Sequence, residues 1–131
     1  MEELGLKYNT DKVTHHQYHL TYDQFLKPFY SAAGSILEIG IYQGSSLLMW
    51  KELFPNAFIY GMDIGLEYSG DRHFVMKGDQ NQESDLQQLR SKLTENPPFF
   101  INDDGSHVPD HQLLTFNHLF PVLKEGGVYI I

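Results

Sequence analysis

Apolar residues fall into short runs, and from residue 35 onward the runs alternate between two periods. Ser35–Ile39 is apolar except for Glu38 and has the length of a strand. A glycine-bounded turn, Gly40–Gly44, follows. Ser45 or Ser46 then stands where a helix cap is expected, ahead of Leu47, Leu48, Trp50, Leu53 and Phe54 at helical spacing. Pro55-Asn56 breaks that helix. Ala57–Ile64 predicts a second strand, residues 65–70 a loop, and His73–Lys77 a third strand. Ser84–Leu93 carries Leu86, Leu89 and Leu93 on one helical face. Pro97-Pro98 restarts the chain into a fourth strand, Phe99–Asn102. The turn 103–107 leads into a helix over Val108–Leu123, whose Phe116, Leu119 and Phe120 are expected in the core. Gly126-Gly127 ends it, and Val128–Ile131 begins a fifth strand. Strands alternating with helices on short connections predict a Rossmann-like, doubly wound parallel sheet with helices on both faces.

The first 20 residues lack such a period. They are polar, carry His15, His16 and His19, and are expected to be irregular. Those histidines fit either an ordinary surface or a lid over a pocket. Tyr22, Phe25, Leu26 and Phe29 predict a helix over 21–30 that Pro28 distorts or ends. With 131 residues there is room for one domain: a lid segment, 1–30, and a core, 31–131. Tyr129-Ile130-Ile131 reads as the core of a buried strand. Parallel strands need cover on both faces, so the chain is expected to be a fragment lacking its C-terminal elements, or to take cover from elsewhere. An open apolar edge also predicts a homo-oligomer.

Composition narrows the function. Hydrophobic residues at 41% and charged residues at 20% describe a globular chain. A net charge of -8 works against a phosphate backbone, so no nucleic-acid partner is expected. The absence of cysteine excludes disulfides, iron–sulfur clusters and thiolate zinc sites, and it fits the cytoplasm. No signal peptide and no membrane-spanning run is legible, so no membrane partner is expected.

In an open α/β sheet, ligands bind beyond the carboxyl ends of the strands. Those ends carry Glu38 and Gly40, Asp63, Asp79, and Asp103 with Asp104, a ring of carboxylates around one crevice. The first turn, Glu38-Ile-Gly-Ile-Tyr-Gln-Gly44, places Gly40 and Gly44 where the backbone must turn tightly. Its G-x-x-x-G spacing, filled by Ile41 and Tyr42, differs from the dinucleotide pattern. Asp63, 23 positions after Gly40, stands where a carboxylate can accept both ribose hydroxyls. Asp79 and Gln80 either bond an adenine edge or make a common turn. Asp103-Asp-Gly-Ser-His107 packs two carboxylates and an imidazole into one turn. Carboxylates suit a hard divalent cation, and the imidazole can take a proton from a hydroxyl. Asp104 or Ser106 could equally cap the next helix. His111 follows His107 by four residues, a weak zinc pattern better read as a solvated face.

The run from Leu37 to Lys51, followed by Phe54-Pro-Asn-Ala-Phe-Ile-Tyr-Gly-Met-Asp63, resembles the first two motifs of class I S-adenosylmethionine (SAM)-dependent methyltransferases. Gly78-Asp-Gln80, Asp103–His107 and the stretch Leu119–Ile130 continue the resemblance in order. The branch is similar to the metal-dependent sugar O-methyltransferases of macrolides and related natural products. Asn9-Thr-Asp-Lys12 with His16, Tyr18 and Tyr22 also looks like that branch. The resemblance implies Glu38, Gly40 and Gly44 along the methionine part of SAM, Asp63 on the ribose, and Asp79 and Gln80 near the adenine. It further implies Asp104 as a Mg2+ ligand, His107 as the general base, and a small-molecule acceptor such as a glycosylated natural product. Asn102 departs from the more aliphatic fourth strand of that branch. Its further acidic pair, just after the fifth strand, would lie beyond Ile131. Two rival readings remain: a nicotinamide-dependent Rossmann oxidoreductase, and a SAM-binding module without turnover.

Overall fold

A computed structural model describes residues 1–131. Its six strands form one sheet in the order β3-β4-β2-β1-β5-β6. The strands are β1 (Gly34–Ile39), β2 (Ala57–Asp63), β3 (Tyr68–Gly70), β4 (His73–Lys77), β5 (Pro98–Asp103) and β6 (Val128–Ile130). All neighbours run parallel except β3, which pairs antiparallel with β4 at the edge. The chain moves outward from β1 through β2 to β4, then returns to place β5 on the other side of β1. The reversal of strand order therefore falls between β1 and β5, and it opens a crevice above their carboxyl ends.

Helices α1 (Glu2–Lys7), α2 (Asp11–Thr14), α3 (His19–Leu26), α4 (Ser45–Leu53), α5 (Glu83–Leu93) and α6 (Pro109–Leu119) cover the sheet. Side chains alternate along each strand, so β1 sends Ile36 to one face and Leu37 and Ile39 to the other. On the first face Ile36, Ile59 and Phe100 meet Leu26 of α3 and Leu47, Trp50 and Leu53 of α4. On the second face Leu37, Ile39 and Ile101 meet Leu86, Leu89 and Leu93 of α5 and Leu119 of α6. The doubly wound layering expected from the alternation is present. Phe100 sits edge-on to Tyr22 and Trp50, with centroids 6.2 and 5.4 Å away, and joins sheet, α3 and α4 in one aromatic cluster.

Several elements differ from the sequence expectation. Residues 1–20 are not irregular: they hold α1 and α2, and α3 already begins at His19. Helices of six and four residues are too short to show a period, and packing rather than propensity forms them. Residues 65–70 contain β3, whose three exposed residues offer no alternation. The last helix stops at Leu119, and Pro121 sits in the 3₁₀ turn that follows. Phe120 is 49% exposed and Phe116 only partly covered, so Leu119 alone of that trio is core. His19 is buried with its Nδ1 unpartnered, while His16 stacks on Tyr18 at 4.9 Å. No helix is long and apolar enough to cross a membrane.

Phe100→Ala should lower stability by about 3–5 kcal/mol, because truncating a buried aromatic ring leaves a cavity between sheet and α4. Urea denaturation measures the loss.

Candidate active site

A cavity of about 750 Å³ opens above the carboxyl ends of β1, β2, β4 and β5, with Asn9–Lys12 forming one wall. Gly40 forms its floor at the switch point. Its φ is +83°, and a Cβ there would run into the carbonyl oxygen of Asp104, so the β1 and β5 loops meet backbone to backbone. Gly44 is also left-handed and precedes α4 in place of the expected serine cap. The freed Ser46 hydroxyl donates to Glu38 Oε2 at 2.7 Å.

Asp63 ends β2 and lines the cavity. Its Oδ2 accepts the N–H groups of Ile41 and Tyr42, both at 3.0 Å. Its Oδ1 accepts those of Gly65 at 2.8 Å and Leu66 at 3.1 Å. One carboxylate thus shapes both the first turn and the β2 loop. Partial burial opposes its charge, but four amides outweigh it and hold the carboxyl below the ordinary aspartate range. Tyr42 itself takes a left-handed φ of 51° and is 80% exposed at the rim.

Glu38 is fully buried and does not line the cavity, although the sequence placed it there. Its Oε1 accepts Asn102 Nδ2 at 3.2 Å and pairs with Lys12 Nζ at 3.0 Å. Asn102, the residue that departs from the aliphatic pattern, accepts the Tyr22 hydroxyl at 2.8 Å and so carries the network to α3. Lys12 is 2% exposed and also donates to Asp104 Oδ2. Burial alone would lower its pKa. The charges of Glu38 and Asp104 outweigh burial and keep the ammonium charged above the ordinary lysine range. Lys12 stood in the motif Asn9-Thr-Asp-Lys12 without an assigned role. A lone lysine in a polar segment gave no sign that it is buried.

The β5 turn has two layers. Asp103 lies inside β5, buried, and burial raises its carboxyl above the ordinary range. Gln80, expected as an adenine contact, touches the cavity but spends its amide on the protein. Its Nε2 donates to Asp103 Oδ1 and Thr115 Oγ1, both at 3.2 Å, and its Oε1 accepts the Ser106 N–H at 2.6 Å. Asp79 lines the cavity too, with Oδ1 accepting the Asn81 N–H at 2.8 Å, a local turn. Asp104 and His107 both reach the cavity. His107 is 68% exposed, adopts a left-handed φ of 56°, and places Nε2 3.6 Å from Asp104 Oδ1. Asp104 does not cap α6, which begins from Val108 without a side-chain cap. Ser106 Oγ accepts the Val108 N–H at 3.3 Å and meets His111 Nδ1 at 2.9 Å, so His111 is neither a face-mate of His107 nor free in solvent. The ring of carboxylates therefore reduces to Asp63, Asp79 and Asp104 at the cavity, with Glu38 and Asp103 behind it. No three His, Cys, Asp or Glu side chains converge as a metal cluster.

No protein-family model matches the chain. It is 34% identical over 137 residues to the 8-demethyl-8-alpha-L-rhamnosyl tetracenomycin-C 2'-O-methyltransferase of Streptomyces olivaceus, covering 98% of this chain and 36% of that protein. It is 33% identical over 141 residues to the mycinamicin VI 2''-O-methyltransferase of Micromonospora griseorubida, covering 100% of this chain and 35% of that protein. The MycE methyltransferase of the mycinamycin biosynthetic pathway, solved with Mg, SAH and mycinamycin VI, superposes with a TM-score of 0.89 at 33% identity. That match covers 98% of this chain and 38% of MycE. The chain is similar over its whole length to natural-product sugar O-methyltransferases. It spans about a third of the length of these relatives. A short-chain dehydrogenase of Francisella tularensis aligns at a TM-score of 0.58 and 16% identity, which shows shared α/β layering alone.

A carboxyl depressed in the folded state contributes stability above its unfolded pKa and loses it as pH falls through the folded value. Asp63→Asn should therefore flatten part of the acid limb of the stability curve, below about pH 4, measured by thermal melts across pH. Gly40→Ala should cost at least about 1–2 kcal/mol for its left-handed φ, plus the clash with Asp104, and should narrow the crevice. Chemical denaturation measures the cost.

Proposed function

We propose that the chain is the SAM-binding part of an O-methyltransferase that methylates a hydroxyl on a sugar of a small natural product. The observation that carries this reading is the cavity at the β1/β5 switch point, joined to whole-length similarity with sugar O-methyltransferases. A cytoplasmic location and a homo-oligomeric state belong to the same proposal. Sedimentation velocity should then show a species larger than the monomer.

The residues present fit both small partners. Asp63, Gly40 and the Ile41–Tyr42 backbone form a cradle for a nucleoside, in which ribose hydroxyls would take Asp63 oxygens in place of loop amides that hold them here. Asp79, which also lines the cavity, would face the adenine. Gly40 and Gly44 keep the turn under the methionine end open, with Glu38 acting from behind through Ser46 rather than by contact. Mg2+ keeps several waters and needs only one or two carboxylates beside substrate oxygens. Asp104 Oδ1 has no partner within hydrogen-bond reach, so it can serve as one such ligand. When bound, SAM supplies the methyl group and Mg2+ orients and acidifies the acceptor hydroxyl.

His107 does the proton work. An imidazole titrates near neutrality, and a sugar hydroxyl needs its proton removed as it becomes a nucleophile. Nε2 is 3.6 Å from Asp104 Oδ1, so the imidazole and the carboxylate that would hold the metal share one side of the cavity. His107 has a left-handed backbone, is exposed and lines the cavity, which leaves its ring open to an acceptor.

His107→Ala should lower turnover roughly 10²–10⁴-fold while leaving SAM affinity intact. Stopped assays with a glycosylated acceptor, beside calorimetric titration with SAM, separate the two quantities. Asp63→Ala should weaken SAM binding by on the order of 2–3 kcal/mol, and unchanged affinity in a folded variant overturns the nucleoside site.

A further inference from the structure

Lys12 is the only cation in the cavity wall. It arrives on a segment that otherwise holds the core through the stack His16–Tyr18–Tyr22–Trp50, whose successive centroids lie 4.9, 5.8 and 6.1 Å apart. Its ammonium is buried and touches two carboxylates from different strands, Glu38 of β1 and Asp104 just after β5. The two contacts are not equivalent. Glu38 has both oxygens engaged, Ser46 on Oε2 and Asn102 on Oε1 beside the lysine. Asp104 uses only Oδ2 for Lys12, and its Oδ1 is left on the His107 side.

We propose that Lys12 is a positioning residue that clasps Asp104 by Oδ2, so that Oδ1 is presented to the metal and to His107 only while the N-terminal segment is seated. The proposal rests on the methyltransferase reading of Asp104 and deepens it. A ligating carboxylate left to rotate loses affinity for its metal, and outer partners that fix the rotamer restore it. Glu38 anchors the clasp: it holds the ammonium at a fixed point above β1, and Asp104 is held in turn. Residues 9–12 line the cavity on one side and carry the clasp on the other, so wall and ligand orientation form one unit.

Lys12→Met alone strands the Glu38 charge in the interior and risks unfolding. Lys12→Met with Glu38→Gln removes both charges and leaves a side chain that can still bond Ser46 and Asn102. Mn2+ affinity, read by calorimetry or paramagnetic resonance, is compared among the wild type, this double variant, Asp104→Ala and their combination. The double variant should bind Mn2+ about 10–100-fold more weakly. Asp104→Ala should cost far less in that background than in the wild type, because Lys12 acts through Asp104. Amide exchange of residues 9–14 and of 104–107 should accelerate together. Wild-type Mn2+ affinity in a folded double variant, losses that simply add, or faster exchange confined to 9–14 would each overturn the proposal. A wild-type protein that binds Mn2+ no better than Asp104→Ala overturns the metal reading of Asp104 instead, and joint or separate exchange then judges the clasp by the same criterion.

Discussion

The charge on Glu38 is the constraint around which this protein is assembled. A carboxylate in the middle strand of a sheet, fully shielded from water, is strongly unfavourable unless every lone pair is used and a cation lies beside it. Each partner comes from a different part of the chain: Ser46 from α4, Asn102 from β5, Lys12 from α2. Satisfying one side chain therefore fixes α4 against β1, aligns β5 with β1 at the Glu38–Asn102 register, and seats the N-terminal segment. Removing a single partner leaves a buried charge or polar group short of a bond, which is far more costly than never having built the network.

The cavity follows from that assembly. Reversal of strand order parts the loops after β1 and β5, and only a glycine at position 40 allows those loops to approach as closely as they do. Around the opening, carboxylates are sorted by what faces them. Asp63 is claimed by four amides and stays ionised. Asp103 is shut behind the turn with Gln80, where burial raises its carboxyl above the ordinary range. Asp104 lies between, held on one side by an ammonium and open on the other. Residues of one chemical type thus take three roles, set by burial and by the number of donors each meets.

The layering of this domain was legible because its cause is local and periodic. Apart from Glu38, Asp63 and Asn102, Ser35–Ile39, Ala57–Ile64 and Phe99–Asn102 are largely apolar on both faces, as buried parallel strands must be, and the leucines of 84–93 recur at helical spacing. The strand ends that bear Asp63 and Asp104 follow directly from those runs. What escaped notice has no period: two helices of six and four residues, and a three-residue edge strand with all side chains exposed.

Sequence alone determined which residues could reach the crevice, since position at a strand's carboxyl end is a property of chain order. Only tertiary structure decided which of them do. Glu38 points along the same strand that delivers Gly40 to the cavity, yet pleating sends its carboxylate behind the wall. Gln80, expected near an adenine, lines the cavity and also ties Asp103 to the turn of Ser106. Lys12 lies 92 positions from Asp104 and stood in the motif Asn9-Thr-Asp-Lys12 with no role assigned to it. Pairing at that separation is set by packing of distant elements, and no pattern of neighbours along the chain encodes it.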